Sequence, residues 1–184
     1  ASAIGPDAVR EMLHAWGVTP REGDEWVRNG GVKIGVDGGF EGGWMREPYA
    51  EPWDRGGTYY GINTIPREVY VPVVQELNRL GWSVSTHAVG DAGMDLVLDA
   101  YETANAEHSI VDRRWTIEHG FLPATDQFSR IRDLGVVISA QNHLYVAGPS
   151  LEKYWGRERA EWTTPVRAYL DENILISGGT DASV

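Results

Sequence analysis

The sequence predicts an α/β fold in which about five parallel strands form one sheet covered by helices. Three observations carry that expectation. Short apolar runs alternate with segments of helical spacing along most of the chain. Each short run has few polar interruptions, as expected of strands buried on both faces of a parallel sheet. Gly17, Gly81 and Gly135 fall at the ends of helical segments, where a glycine stops a helix.

Pro6-Asp7 opens the first helix, because proline suits an early helical position, and Val9, Met12, Leu13 and Trp16 recur at helical spacing. Val32 to Val36 reads as a strand closed by the turn signal Asp37-Gly38-Gly39. From Gly38 to Ile65 the chain is rich in Gly, Trp, Tyr and Pro without a sustained period, so a long loop is expected, lying over the carboxyl ends of the strands. Pro66 to Leu80 returns to helical spacing through Val69, Val73, Val74 and Leu77, with Pro72 as a local irregularity. Trp82 to Ala88 is a strand, Asp91 to His108 a helix with a broad apolar face, and Trp115 to His119 a strand. Thr125 to Leu134 is a helix and Val136 to Gln141 a strand. Ser150 to Trp155 makes a short helix, Thr164 to Glu172 a longer one with Pro165 near its start, and Ile174 to Thr180 the last strand.

The 184 residues allow one domain with a hydrophobic core, but fall short of the roughly 250 of a complete eight-stranded α/β barrel. Hydrophobic residues at 42% and charged residues at 23% argue against disorder. A net charge of −11, from 27 acidic against 16 basic side chains, repels phosphate backbones and anionic headgroups, so nucleic acid is not an expected partner. Without cysteine, a metal can be held only by His, carboxylate or a modified Lys, and the missing disulfides fit a cytoplasmic protein. No run of about 18 apolar residues offers a membrane span. Ala1 to Pro6 lacks the regions of a signal peptide, and a buried strand with its exit loop runs almost to Val184, so a piece of a longer chain is expected.

His87, His119 and Asp181 each stand at the end of a candidate strand. Carboxyl ends of strands meet at one mouth in an α/β barrel, so the three should converge there. Any one of them alone has a structural reading; their repetition at one end of the sheet favours a site.

The stretches His87-Ala-Val-Gly-Asp-Ala, Arg114-Trp-Thr-Ile-Glu-His119, Gly178-Gly-Thr-Asp181-Ala and, upstream, Val32-Lys-Ile-Gly-Val-Asp-Gly38 occur in this order. Together they resemble the amidohydrolase superfamily and, within it, the family 3 branch of metal-dependent hydrolases that includes N-substituted formamide deformylase. The resemblance covers about residues 24 to 184. It implies a partial (β/α)8 barrel of the TIM type, strands four to eight, and hydrolysis of an amide-type C–N bond in a small-molecule substrate. It implies His87 and His119 as ligands of one or two divalent ions, zinc by preference, and Asp181 as a ligand that also serves as general base and then acid. Lys33 falls where many members carry a lysine carboxylated to bridge two ions; the other reading is a buried lysine paired with Asp37 or Glu118. His143 falls where the branch often has a histidine beside the substrate carbonyl, and a surface loop histidine is the alternative. His14 and His108, on or at the ends of helices, read as solvated.

The family's first-strand His-x-His pair occurs nowhere in this sequence. The expected product is a partial barrel with unpaired edge strands, completed by the missing portion or by another copy, and binding metal weakly or not at all by itself. Asp91 reads either as a partner behind a histidine or as a helix cap. Trp44, Tyr49, Trp53, Tyr59 and Tyr60, with Arg46 and Arg55, suit either a substrate pocket or a loop packed onto the barrel. A glycoside-processing barrel built on Glu41, Glu47 or Glu118 is one rival function, and a folded fragment without activity is another.

Overall fold

The computed structural model describes residues 5–51 and 58–181. Helix α1 (Pro6–Trp16) starts on its proline and ends at Gly17, whose φ of 62° lets its N–H turn back onto the last carbonyls. Strand β1 (Val32–Gly35) follows, then the loop, then α2 (Arg67–Arg79), β2 (Val84–Ala88), α3 (Asp91–Glu107) and β3 (Thr116–His119). A 3-10 turn at Thr125–Gln127 leads into α4 (Phe128–Asp133), and β4 (Val137–Gln141) comes next. A second 3-10 segment, His143–Ala147, runs into α5 (Gly148–Trp155) and α6 (Arg157–Glu161), before α7 (Val166–Asp171) and β5 (Leu175–Gly179).

The five strands lie in the order β1-β2-β3-β4-β5, every neighbouring pair parallel. Adding each new strand on the same side builds a barrel wall, whereas a doubly wound sheet reverses direction part way. The helices cover one face only. Val84, Ala88, Ile117 and Ile138 are buried there with Tyr70, Val73, Val74, Leu77, Val97, Tyr101 and Ile131 in a single core. Inside it the Thr86 hydroxyl meets the hydroxyls of Tyr70 at 2.7 Å and Tyr101 at 2.9 Å, so a polar strand residue is tolerated among apolar ones.

The other face departs from the sequence expectation of strands buried on both sides. Cross-strand register aligns Lys33 with Ser85, His87 with Glu118, Glu118 with Ser139, and Ser139 with Ser177. Paired residues of a parallel sheet point the same way, so these polar side chains share the inward face of the barrel wall. Their apolar neighbours masked them in the linear sequence. The segment read as one helix over 164–172 is also shorter, because Thr164 holds φ at 51° and α7 begins only at Val166.

A second, smaller core sits above the carboxyl ends of the strands, where Met45, Tyr49, Val89, Phe121, Leu122, Leu144, Leu151 and Trp155 are buried together. The loop therefore lies over that end and is packed there. Tyr49 donates its hydroxyl to the Gly43 carbonyl at 3.0 Å, and Trp155 donates its indole N–H to the Phe40 carbonyl at 2.9 Å.

Candidate metal centre

His87 is the fourth residue of β2 and points inward. Its Nε2 lies 3.0 Å from the Gly38 carbonyl and 3.4 Å from Asp37 Oδ1. A carbonyl can only accept, so Nε2 carries the proton and Nδ1 keeps its lone pair.

His119 reaches the mouth by a different route. Alternation along β3 would put residue 119 on the covered face with Ile117. Instead its φ is 76° and that of Gly120 is 54°, two successive left-handed residues that swing the imidazole to within 4.5 Å, centroid to centroid, of the His87 ring. A left-handed non-glycine residue costs roughly 1–3 kcal/mol and persists only where its surroundings hold it. Here the Tyr169 hydroxyl of α7 donates to the Gly120 carbonyl at 2.7 Å, and the Gly120 N–H bonds the Ala88 carbonyl of the neighbouring strand at 3.1 Å. The His119 Nδ1 lies 2.8 Å from Gln141 Oε1. Burial and the neighbouring His87 both lower its pKa, which favours the neutral ring that a metal requires.

The field at His119 also registers Asp181 and Lys33, so charges from β5 and β1 act on the same imidazole. Asp181 follows the end of β5, with φ at 52°, and is exposed. Lys33 is exposed on the inward face. That overturns the reading of a buried lysine paired with Asp37 or Glu118: Asp37 is filled by backbone donors and Glu118 accepts from Ser85 Oγ at 2.7 Å. His143 opens the 3-10 segment after β4 and is exposed, its ring edge-on to Phe121 at 5.7 Å; Phe121 in turn lies 5.0 Å from His119. His14 and His108 are exposed, as expected.

The carboxylate behind a histidine is Asp37, which the motif reading passed over in favour of Asp91. Asp37 accepts from the backbone N–H groups of Val89, Gly90 and Trp44 at 2.9–3.0 Å. Burial pushes its carboxyl up to about 6, against the downward pull of those donors and of His87. Asp91 is neither a histidine partner nor the cap: Gly90 is the N-cap of α3, and Asp91 accepts from the Arg46 backbone N–H at 2.9 Å. Arg46 is committed to ion pairs with Asp95 and Asp126. Tyr49 packs the loop onto the barrel, Trp44 and Tyr59 pack against the two cores, and Tyr60 is exposed. Trp53 and Arg55 lie outside the described residues. Glu41 and Glu47 are exposed on the loop, and with Glu118 engaged by Ser85 nothing in the site favours a glycoside acid-base pair.

Two adjacent imidazoles, each with one nitrogen turned away from its hydrogen-bond partner, fit part of a divalent ion's ligand set. Among the described residues no group of three or more His, Asp or Glu side chains is arranged to hold an ion. Gln141 and Asp37, which lie against the two rings, were not legible in the motifs, because neither is near its histidine in sequence.

A family model described as Amidohydrolase family matches residues 5–184. The chain is 32% identical over 161 residues to Protein LONG AFTER FAR-RED 3 of Arabidopsis thaliana, covering 85% of this chain and 27% of that protein. It is 28% identical over 157 residues to N-substituted formamide deformylase of Arthrobacter pascens, covering 84% of this chain and 28% of that protein. An uncharacterized metal-dependent hydrolase from Pyrococcus furiosus superimposes with a TM-score of 0.79 at 30% identity, covering 97% of this chain and 36% of that one. The chain thus spans between 27% and 36% of the length of these relatives. Among the described residues no helix is long and apolar enough to cross a membrane.

Proposed function

Because the chain belongs to the amidohydrolase family, we propose that it supplies part of the barrel and part of the metal site of a hydrolase that cleaves an amide-type C–N bond. The observation that carries this reading is the pair His87 and His119, 4.5 Å apart, with Nδ1 of one ring and Nε2 of the other left free of protons by their hydrogen bonds. In this reading those two nitrogens and Asp181 would hold a divalent ion of the zinc type, and Lys33, if carboxylated, would add a further ligand. Such an ion supplies a Lewis acid that makes water nucleophilic near neutral pH.

The chain's own residues divide the remaining tasks. Asp181 takes the proton of the attacking water and returns it to the departing nitrogen. His143, across Phe121 from His119, faces the substrate carbonyl as a hydrogen-bond donor. The packed loop walls the mouth and keeps bulk water from it. The inward polar face and the free edges of β1 and β5 are completed by the rest of a barrel that carries the His-x-His pair. A small amide-like molecule is the partner; with a net charge of −11, nucleic acid is not.

Metal analysis of the purified chain, set beside the same chain joined to a segment bearing the His-x-His strand, tests this. The joined protein should gain zinc and amide hydrolysis together, and His119→Ala should abolish both. Stoichiometric metal held by the chain alone through repeated dialysis, with hydrolysis, would show that the site is not incomplete. A joined protein without metal or activity would instead favour a folded but inactive barrel piece.

A further inference from the structure

We infer that Gln141 is a positioning residue that fixes the tautomer of His119, holding the proton on Nδ1 so that Nε2 faces the mouth with its lone pair. The contact is 2.8 Å and joins two side chains that are 4% and 5% exposed, so water offers neither a ready substitute partner. No hydrogen bond among the described residues engages the His119 Nε2. The amide cannot serve equally well reversed, because its NH2 group would then face Nδ1 and move the proton to Nε2. Its present orientation is supported on its own strand, where Gln141 Nε2 lies 3.4 Å from Ser139 Oγ on the same face.

The arrangement depends on register. Gln141 is the last residue of β4 and pairs with Gly179 of β5, where a Cβ would stand 3.9 Å from both Cγ and Nε2 of Gln141. The glycine puts no side chain against the amide on that side, so His119 and Ser139 are the groups that orient it. His119 in turn sits at φ 76°, off the strand's own path, so its ring is not placed by the pleat and needs a tether beyond its backbone. His87 differs in kind. Its proton is fixed by the backbone carbonyl of Gly38, which no side-chain substitution removes. Gln141 is thus the side chain through which the two rings can be set independently.

The inference rests on the metal-dependent reading for its consequence, but its first readout does not need a metal. Long-range 1H–15N spectra of the metal-free chain, with labelled histidine and at a pH where the rings are neutral, report which nitrogen of His119 is protonated. Wild type should show Nδ1–H. Gln141→Leu, and Gln141→Met as a variant closer in volume should the first not fold, should move His119 toward the mixture of a free imidazole and leave His87 unchanged. Gln141→Glu, which keeps an acceptor at the same reach, should restore Nδ1–H. In competition titrations with zinc alone, the Leu or Met variant should bind roughly 10–100-fold more weakly than wild type, the usual cost of losing such a partner. An Nε2–H tautomer in wild type, or a His119 signal indifferent to the loss of the amide, overturns the proposal. Absence of zinc binding by every form of the chain alone is what an incomplete site predicts, and the tautomer spectra then decide the role of Gln141; the metal reading fails only if the chain joined to the His-x-His segment binds no zinc either.

Discussion

Arg46 of the loop and Asp95 of α3 face each other through two parallel hydrogen bonds of 2.7 Å, and the same guanidinium grips Asp126 at 3.0 Å through both terminal nitrogens. The loop that walls the mouth is therefore tied to the helices behind β2 and β3. Arg46 and Asp95 are about one-third exposed, so solvent screening keeps the clamp's worth to about 1 kcal/mol despite its forked geometry. Arg46→Ala should lower urea stability by that amount and speed amide exchange in residues 44–51. Arg46 holds the Asp126 carboxyl below its ordinary value of 3.8. A depressed carboxylate contributes stability above its unfolded pKa and loses it as pH falls through the folded value. The gap between wild type and Arg46→Ala should accordingly close as pH drops below about 4. A gap that is constant into strong acid would mean that the clamp does not work through charge.

Gly120 is a residue next to the site at which a methyl group should be poorly tolerated. Its φ is 54°, and a Cβ would stand 3.0 Å from the Tyr169 hydroxyl and 3.1 Å from Ile138. Gly120→Ala should cost roughly 1–3 kcal/mol and displace the His119 ring, since the two residues make one left-handed turn. Denaturation midpoints together with the His119 imidazole shifts check this; an unshifted imidazole would separate stability from ring placement.

Asp37 is a buried anchor for three backbone donors. Asp37→Ala would leave the N–H groups of Val89, Gly90 and Trp44 without their acceptor, at about 3 kcal/mol or more for the set. Asp37→Asn should fall between, because its carbonyl serves some donors while its NH2 opposes others. Thermal melts of the two variants should rank wild type, then Asn, then Ala; an Asn variant as stable as wild type would mean that the carboxylate's second oxygen is dispensable.

In the complete protein, Asp181→Asn should reduce kcat by roughly 10²–10⁴-fold, the range for a lost proton carrier. It should leave KM nearly unchanged, because on the proposed reading the loss falls on proton transfer. A variant that instead loses its metal with unchanged affinity for substrate would make Asp181 a ligand first and a proton carrier second.

The strands were legible because their apolar runs end on glycine or polar turns, and the predicted bounds of β1 to β5 differ from the observed ones by a residue or two at either end. The helices α5 and α6 were legible only in part: Gly156 separates Gly148–Trp155 from Arg157–Glu161, and a five-residue helix carries too short a period to be read. The histidines could be read from motif order, and the structure brings their rings together. Asp37 and Gln141 could not, since neither is near its histidine in sequence: 50 residues separate the first pair and 22 the second. What holds each ring comes from a neighbouring strand or the loop that follows one, and linear spacing carries no record of it.

The indole of Trp155 closes on the Phe40 carbonyl across 115 residues of chain. A chain emerging from the ribosome can pair β1 with β2 and dock α3 long before that bond is available. The floor of the mouth forms from early, local pieces; its wall waits until residue 155 is out. Until then Met45 and Tyr49 have no Leu151 or Trp155 to cover them, and the nascent protein exposes an apolar strip at the mouth. A chaperone that recognises apolar segments would find a target there, and a truncation just short of residue 155 should keep β1 to β4 paired, without β5, and leave that strip uncovered.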